Sequence, residues 1–430
     1  MESNTTAITD NKLISIEQRR MIINLELTAK TATGQRFTTA ARNLIPAFRD
    51  RSRAADRDAL MPTENFIDMQ KTRVAAAFVP EELGGFGVTS VHDWLVGIAT
   101  LARGDGSSAI AINMHMGVSR GMSQAYMMAK HAGKSTERAA VPLKAIVDGK
   151  MLVCATATER GTDNLHPLTT AVKTDEGWLI NGHKMFVTMS PIATHVAMNL
   201  RIQDEVGDHL ATTMLAIDAP GIEPQNDWDS LGMRGSGSQS VKFTNVAVSA
   251  NGVRHLGPWG EWSTSTLTNR TLGNLPLVAA FLGIAEHAYE IAIDSLKTQK
   301  RLGELVSNSA GVQQLTGEMS IELATCRSIL SSTGLFVDDW LANAETSPPT
   351  IAQAHELMQH YQMAKWVINR GAISIVDKAM DLAGGGGFMN GHPLSQLYRD
   401  VRAGPFMQPH APAEIRGYVG QVALGLYPED

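Results

Sequence analysis

The chain predicts an α+β fold in three consecutive parts, helical, then β, then helical. Between about Ile14 and Val147, apolar residues such as Trp94, Ile98, Leu101, Ile110 and Met114 recur at near-helical intervals. Near Met151 the texture changes to short segments rich in Val, Ile, Thr and aromatics, separated by turn-forming residues. After Trp262 long helical patterns return, so the expected boundaries are an N-terminal helical domain over 1–150, a middle antiparallel β domain over 151–262 and a C-terminal helical bundle over 263–430.

Each part has its own punctuation. In the first, Val79-Pro80 and Gly84-Gly85-Phe86-Gly87 break the helical pattern and leave three to five helices. Ser107-Ser108, after Gly104-Asp105-Gly106, reads as a helix N-cap. In the middle part, Met151–Ala157, Trp178–Ile180, Met185–Thr188, His195–Leu200 and Val241–Val248 read as strands, with Asn181-Gly182 as a hairpin turn. In the last, Leu275–Leu296, Gln314–Leu335 and His355–Leu382 carry apolar residues at helical spacing, and Gly384–Gly387 halts the third.

Bulk properties exclude several functions. The net charge of −6 comes without long runs of either sign, which argues against a nucleic-acid groove or a polybasic membrane patch. Aromatics make up only 6%, too few for a base-stacking surface. Cys154 and Cys326 lie far apart, so a disulfide scaffold or structural zinc is not expected and a reducing cytoplasm fits. Met1 to Lys12 lacks a signal-peptide layout, and no apolar run is expected to reach the roughly 18–20 residues that span a bilayer. HExxH, CxxC and GxSxG are absent, which leaves metal and serine-nucleophile chemistry without support.

Several local sequences occur in a meaningful order. They are Val79-Pro80-Glu81-Glu82-Leu83-Gly84-Gly85, Ala157-Thr158-Glu159-Arg160-Gly161-Thr162-Asp163, the run from Trp178 to Thr188, Leu231-Gly232-Met233-Arg234-Gly235-Ser236, Phe243-Thr244-Asn245-Val246, Gly384-Gly385-Gly386-Gly387-Phe388 and Arg399-Asp400. The ordered set resembles the acyl-CoA dehydrogenase superfamily over nearly the whole chain. The resemblance implies a C-terminal four-helix bundle and a flavin, FAD or FMN, held by Ala157, Thr158, Thr162, Phe186 and Thr188. It also implies that Arg301, Gly384 and Gly385 serve the adenine half of the cofactor across a subunit interface, hence a homotetramer. A flavin ring needs polar partners along its pyrimidine edge and at N5, which these residue types supply.

Two departures from the family pattern narrow the function. The dehydrogenases need a glutamate as general base. About eight residues beyond Asp400 that position holds Gln408, and the family's alternative position falls at about Asn274. A glutamine amide takes up no proton at neutral pH. The glutamine that precedes the family's Gly-rich turn is replaced by Asp381, unfavourable beside a pyrophosphate. Both changes resemble the branch of two-component monooxygenases, which receive reduced flavin from a separate reductase and use it with O2 to oxidise a small organic substrate. On this reading His410 is a donor or acid/base group, Gln408 orients substrate and His115 faces the flavin from the N-terminal helices; each also reads as an ordinary core or loop residue. The rival readings are an acyl-thioester dehydrogenase with a displaced base, Glu414, and a catalytically silent binding relative.

Overall fold

A computed structural model describes residues 26–203 and 207–428. The helical pattern expected from about Ile14 therefore begins outside the described residues. Five helices open the described chain: α1 (Ala32–Asp58), α2 (Thr63–Lys71), α3 (Val91–Ala102), α4 (Gly106–His131) and α5 (Glu137–Val147). α1 starts where the Thr31 hydroxyl accepts the Gly34 N–H, and it buries Phe37, Leu44 and Phe48 on one face. α3 is buried on every side, which explains its nearly unbroken apolar sequence. The cap of α4 is Asp105 rather than Ser107-Ser108: its carboxylate accepts the Ser108 N–H at 2.9 Å. An anion at a helix start has the dipole in its favour as well as the hydrogen bond.

The eight middle strands are β1 (Val153–Thr156), β2 (Thr170–Thr174), β3 (Gly177–Val187), β4 (His195–Gln203), β5 (Asp208–Ala216), β6 (Ile222–Pro224), β7 (Gln239–Ser249) and β8 (Val253–Pro258). They form one sheet in the order β6-β7-β3-β2-β4-β5-β8, with β1 also on β4. The sheet is mixed, not purely antiparallel, because β1 and β2 both run parallel to β4. Turn residues announce hairpins, but nothing local announces pairing between strands some forty residues apart. β1 pairs with His195 to Met198 and β2 with Arg201 and Ile202, so the loop 157–169 leaves the sheet from the break between them.

Asn181-Gly182 is not a turn. β3 runs straight through it with a register shift against β7. Glycine is required there for contact, since a Cβ on Gly182 would lie 2.3 Å from the Thr169 hydroxyl. The turn falls instead at Thr174–Gly177, where Gly177 has φ 146°.

The last region contains three long helices, α6 (Thr264–Leu296), α7 (Ala310–Thr346) and α8 (Ile351–Ala383), and two short ones, α9 (Pro393–Asp400) and α10 (Ile415–Ala423). α6 is the central element, packed on α8 and on α3. It is long and apolar enough to cross a membrane by composition, contrary to expectation, yet it is mostly buried within the protein. Gly283 lets α6 approach α3, for a Cβ there would sit 2.2 Å from the Ala99 carbonyl oxygen. The main core runs continuously from α1 through the sheet to α8. The three parts therefore share one interior, and the loops at their junction are held from all sides.

Candidate active site

The loop 157–169 is held by a buried charge. The Glu159 carboxylate accepts the N–H groups of Leu168 (2.7 Å) and Thr169 (3.0 Å) and the ammonium of Lys184. Both side chains are almost wholly buried. Burial pulls the Lys184 pKa down, and Glu159 opposes that fall. Met185 N–H donates to the Thr158 carbonyl at 2.9 Å, and the Thr156 hydroxyl donates to the Met185 carbonyl at 3.2 Å. The Thr162 hydroxyl closes the loop on the His166 carbonyl at 2.5 Å.

β3 ends beside this loop in an unusual backbone. Phe186 and Met189 have positive φ values of 53° and 75°, which cost free energy in residues with a Cβ. The turn is secured by Met189 N–H on the Ser236 carbonyl (3.0 Å) and by the Thr188 hydroxyl against Ser238 (2.9 Å). Phe186 is left 52% exposed, with Trp228 edge-on at 6.1 Å between ring centroids. The Leu231–Ser236 segment docks on the Arg399-Asp400 pair: Met233 N–H donates to Asp400, and a Cβ on Gly232 would lie 2.2 Å from the Arg399 carbonyl oxygen. Arg399 in turn pairs with Asp56 of α1. Burial raises the Asp400 pKa to about 7.

The turn 407–410 lies against the same loop. Gln408 Nε2 donates to the Thr158 hydroxyl at 2.8 Å, and its Oε1 accepts from Asn164. Two side chains one helical turn apart on α8 hold this turn. Tyr361 donates to the Gln408 carbonyl, and Lys365 to the carbonyls of Met407 and His410. Burial lowers the Lys365 pKa to about 8, against the pull of Glu414. The His410 ring stands 4.4 Å from that of Tyr418, and burial lowers its pKa to about 4, so it is neutral at pH 7.

Ala157, Thr158, Thr162, Phe186, Thr188, Gln408 and His410 thus come together at the junction of the sheet and the last helices. His115 lies behind it, fully buried on α4. Val153 N–H donates to its Nδ1 at 3.2 Å, and Nε2 lies 3.1 Å from the Ala75 carbonyl oxygen, so Nε2 carries the hydrogen. It pins β1 to the helices, and burial lowers its pKa to about 4. Arg301, Gly384 and Gly385 are exposed and share no hydrogen bond with the junction among the described residues. Glu414, the displaced-base candidate, is 61% exposed and caps the Ala411 N–H at 2.8 Å, a solvent-facing role. Asn274 is occupied with the Arg270 carbonyl. Sequence reasoning gave no role to Glu159 and Lys184, although both lie in the ordered motifs, and missed Asn164, Trp228, Tyr361, Lys365 and Arg270, which only the fold brings together.

This surface fits a flavin. Thr158 accepts from Gln408 and keeps its own O–H proton to donate, Thr188 adds a second hydroxyl, and the exposed Phe186 face offers an aromatic wall. Fold and site together define a flavin-dependent oxidoreductase. The chain matches the acyl-CoA dehydrogenase middle domain over residues 153–246 and the acyl-CoA dehydrogenase C-terminal domain over residues 266–408. It belongs to the acyl-CoA dehydrogenase superfamily, in the flavin-dependent branch that contains the nitrososynthases. It is 34% identical to the amino sugar nitrososynthase DnmZ of Streptomyces peucetius, over 92% of this chain and 95% of that one. It is 32% identical to the L-evernosamine nitrososynthase of a Micromonospora species, over 92% and 91% respectively. KijD3, solved with FMN and dTDP-3-amino-2,3,6-trideoxy-4-keto-3-methyl-D-glucose, superposes with a TM-score of 0.84 at 29% identity, over 94% of this chain and 96% of that one. The chain is therefore an enzyme that uses FAD or FMN to oxidise a small substrate, and true acyl-CoA dehydrogenases are more distant relatives.

Replacing Lys184 by Met strands the Glu159 carboxylate and should cost about 3–5 kcal/mol in chemical denaturation. Adding Glu159→Gln should restore part of the loss; a single variant as stable as wild type would mean the pair does not hold the loop. For His115, the free imidazole titrates near 6.5 while the folded one resists protonation until about 4. Its contribution is complete above pH 6.5 and is lost as pH falls towards 4. The stability advantage of wild type over His115→Gln should shrink across that window, and a constant gap would contradict the neutral, buried assignment.

Proposed function

We propose that the enzyme is a nitrogen-oxidising monooxygenase acting on the amine of a sugar carried by a nucleoside diphosphate. The observation that carries this is Gln408, tied to Thr158 and Asn164 where an acyl-CoA dehydrogenase would place its carboxylate. Oxidation of an amine begins at the nitrogen lone pair and needs no carboxylate to remove a proton from carbon. The names of the nitrososynthase relatives and the sugar nucleotide bound by KijD3 support the substrate class.

The flavin, supplied reduced by a separate reductase, provides the electrons that activate O2. FMN is the form we favour: KijD3 holds FMN, and Asp381 sits where a pyrophosphate would meet an acid. The chain's own residues do the rest. Thr158 and Thr188 present hydroxyls to the flavin edge, Phe186 walls one face, and Ala157 and Thr162 shape the loop beneath. Gln408 orients the substrate amine. Neutral His410 offers the substrate a polar ring nitrogen without placing a charge in a buried site. Tyr361 and Lys365 keep the 407–410 turn closed against water.

A homotetramer follows from the family. The exposed apolar side chains Leu302, Ile321, Phe388, Met389 and Phe406 of the C-terminal region support burial against other subunits. Arg301, Gly384 and Gly385 are then subunit-contact residues near a neighbouring site. A reducing cytoplasm suits both the reduced flavin and the free, buried Cys154 and Cys326.

Anaerobic protein loaded with reduced FMN, mixed with oxygenated buffer in a stopped-flow spectrometer, should reoxidise in two resolved phases, and an amino sugar nucleotide should be consumed. One fast phase identical to free FMN would sink the monooxygenase reading. Sedimentation should give a species near four times the chain mass, and a monomer at micromolar concentration would remove the tetramer.

A further inference from the structure

Arg270, on the second turn of α6, is a buried cation that forms no ion pair among the described residues. Its Nε and Nη2 are shielded from solvent and have no hydrogen-bond partner among the described residues. The Trp262 ring lies 5.2 Å from the guanidinium carbon, which satisfies a face of the group but not its N–H edge. Asp163 is the one carboxylate that raises the Arg270 pKa, yet it forms no ion pair with Arg270 and spends its oxygens on Leu165 and His166. Burial outweighs that influence and lowers the Arg270 pKa to about 10.

A second orphan stands nearby. His410 Nε2 is also buried without a partner, and the Arg270 charge is among the influences that keep His410 unprotonated. The other cation at this end, Lys365, is already committed to two carbonyls. Two buried, unsatisfied polar groups, one of them positive, thus lie close enough to influence each other, and one of them belongs to the Gln408 turn. Leaving such donors buried opposes folding, so their retention points to a ligand that satisfies them.

We propose that Arg270 anchors a phosphate or diphosphate group of the substrate, with His410 Nε2 as the second polar contact. The free N–H edge of a guanidinium matches the paired oxygens of a phosphoryl group. This inference rests on the proposed sugar nucleotide substrate and assigns it a binding residue.

Calorimetric titration of the FMN-loaded enzyme with pyrophosphate, dTDP, thymidine and succinate tests it. Wild type should bind pyrophosphate and dTDP; Arg270→Gln should weaken both by roughly thirty-fold, and Arg270→Lys should recover part. Thymidine and reduced FMN should bind the variant as they bind wild type. In turnover KM should rise while kcat changes by less than about two-fold, as expected when binding common to ground and transition states is lost. Without ligand, Arg270→Gln should melt no lower than wild type, because it removes an unpaired buried charge. Unchanged dTDP affinity in the variant, no saturable binding of either phosphate by wild type, or lost reduced-FMN affinity would overturn the assignment. Arg270-dependent binding of succinate but not pyrophosphate would also overturn it. Arg270-dependent phosphate binding by an enzyme that oxidises no amine would leave the anchor standing and the amine reading refuted.

Discussion

The buried pair between Glu159 and Lys184 determines where the loop 157–169 lies, and the rest of the site is built on that loop. One carboxylate near the start of the loop gathers two backbone N–H groups at its end and an ammonium on β3, so it ties all three together. Lys184 belongs to β3, whose end forms the strained Phe186 turn, and Thr158 of the loop receives Gln408 from the last helical region. A shift of the loop would displace the Phe186 turn and the 407–410 turn together.

The 407–410 turn is positioned by its backbone. Tyr361 and Lys365 hold its carbonyls from α8, and Gly404 lets the preceding segment approach Asn369, where a Cβ would be 2.5 Å from the amide oxygen. The backbone position is set by these contacts rather than by the residue at 408. A glutamine there is an amide that takes up no proton at neutral pH, held between Thr158 and Asn164.

Much of the architecture was legible. Long apolar periodicities locate α6, α7 and α8, and the ordered motifs locate the loop, β3 and the Arg399-Asp400 pair. Misreadings occurred where local and distant forces compete. Asn181-Gly182 has the composition of a hairpin turn, but Thr169 and the pairing with β7 make it a bulge. His115 has the chemistry of a site residue, but Ala75 and Val153 occupy both its nitrogens. Asp105 outcompetes Ser107-Ser108 as a cap through charge as well as geometry.

By itself the sequence determined the order of helix, sheet and helix, the superfamily and the flavin, because these are written in periodicity and in contiguous motifs. Only the tertiary structure decided the parallel pairing of β1 and β2 with β4, the partner of Glu159, the clamp on the 407–410 turn and the solitude of Arg270. Each of those depends on residues far apart in the chain meeting in a buried place. There the loss of water makes a single hydrogen bond or an unpaired charge matter, and no local pattern records it.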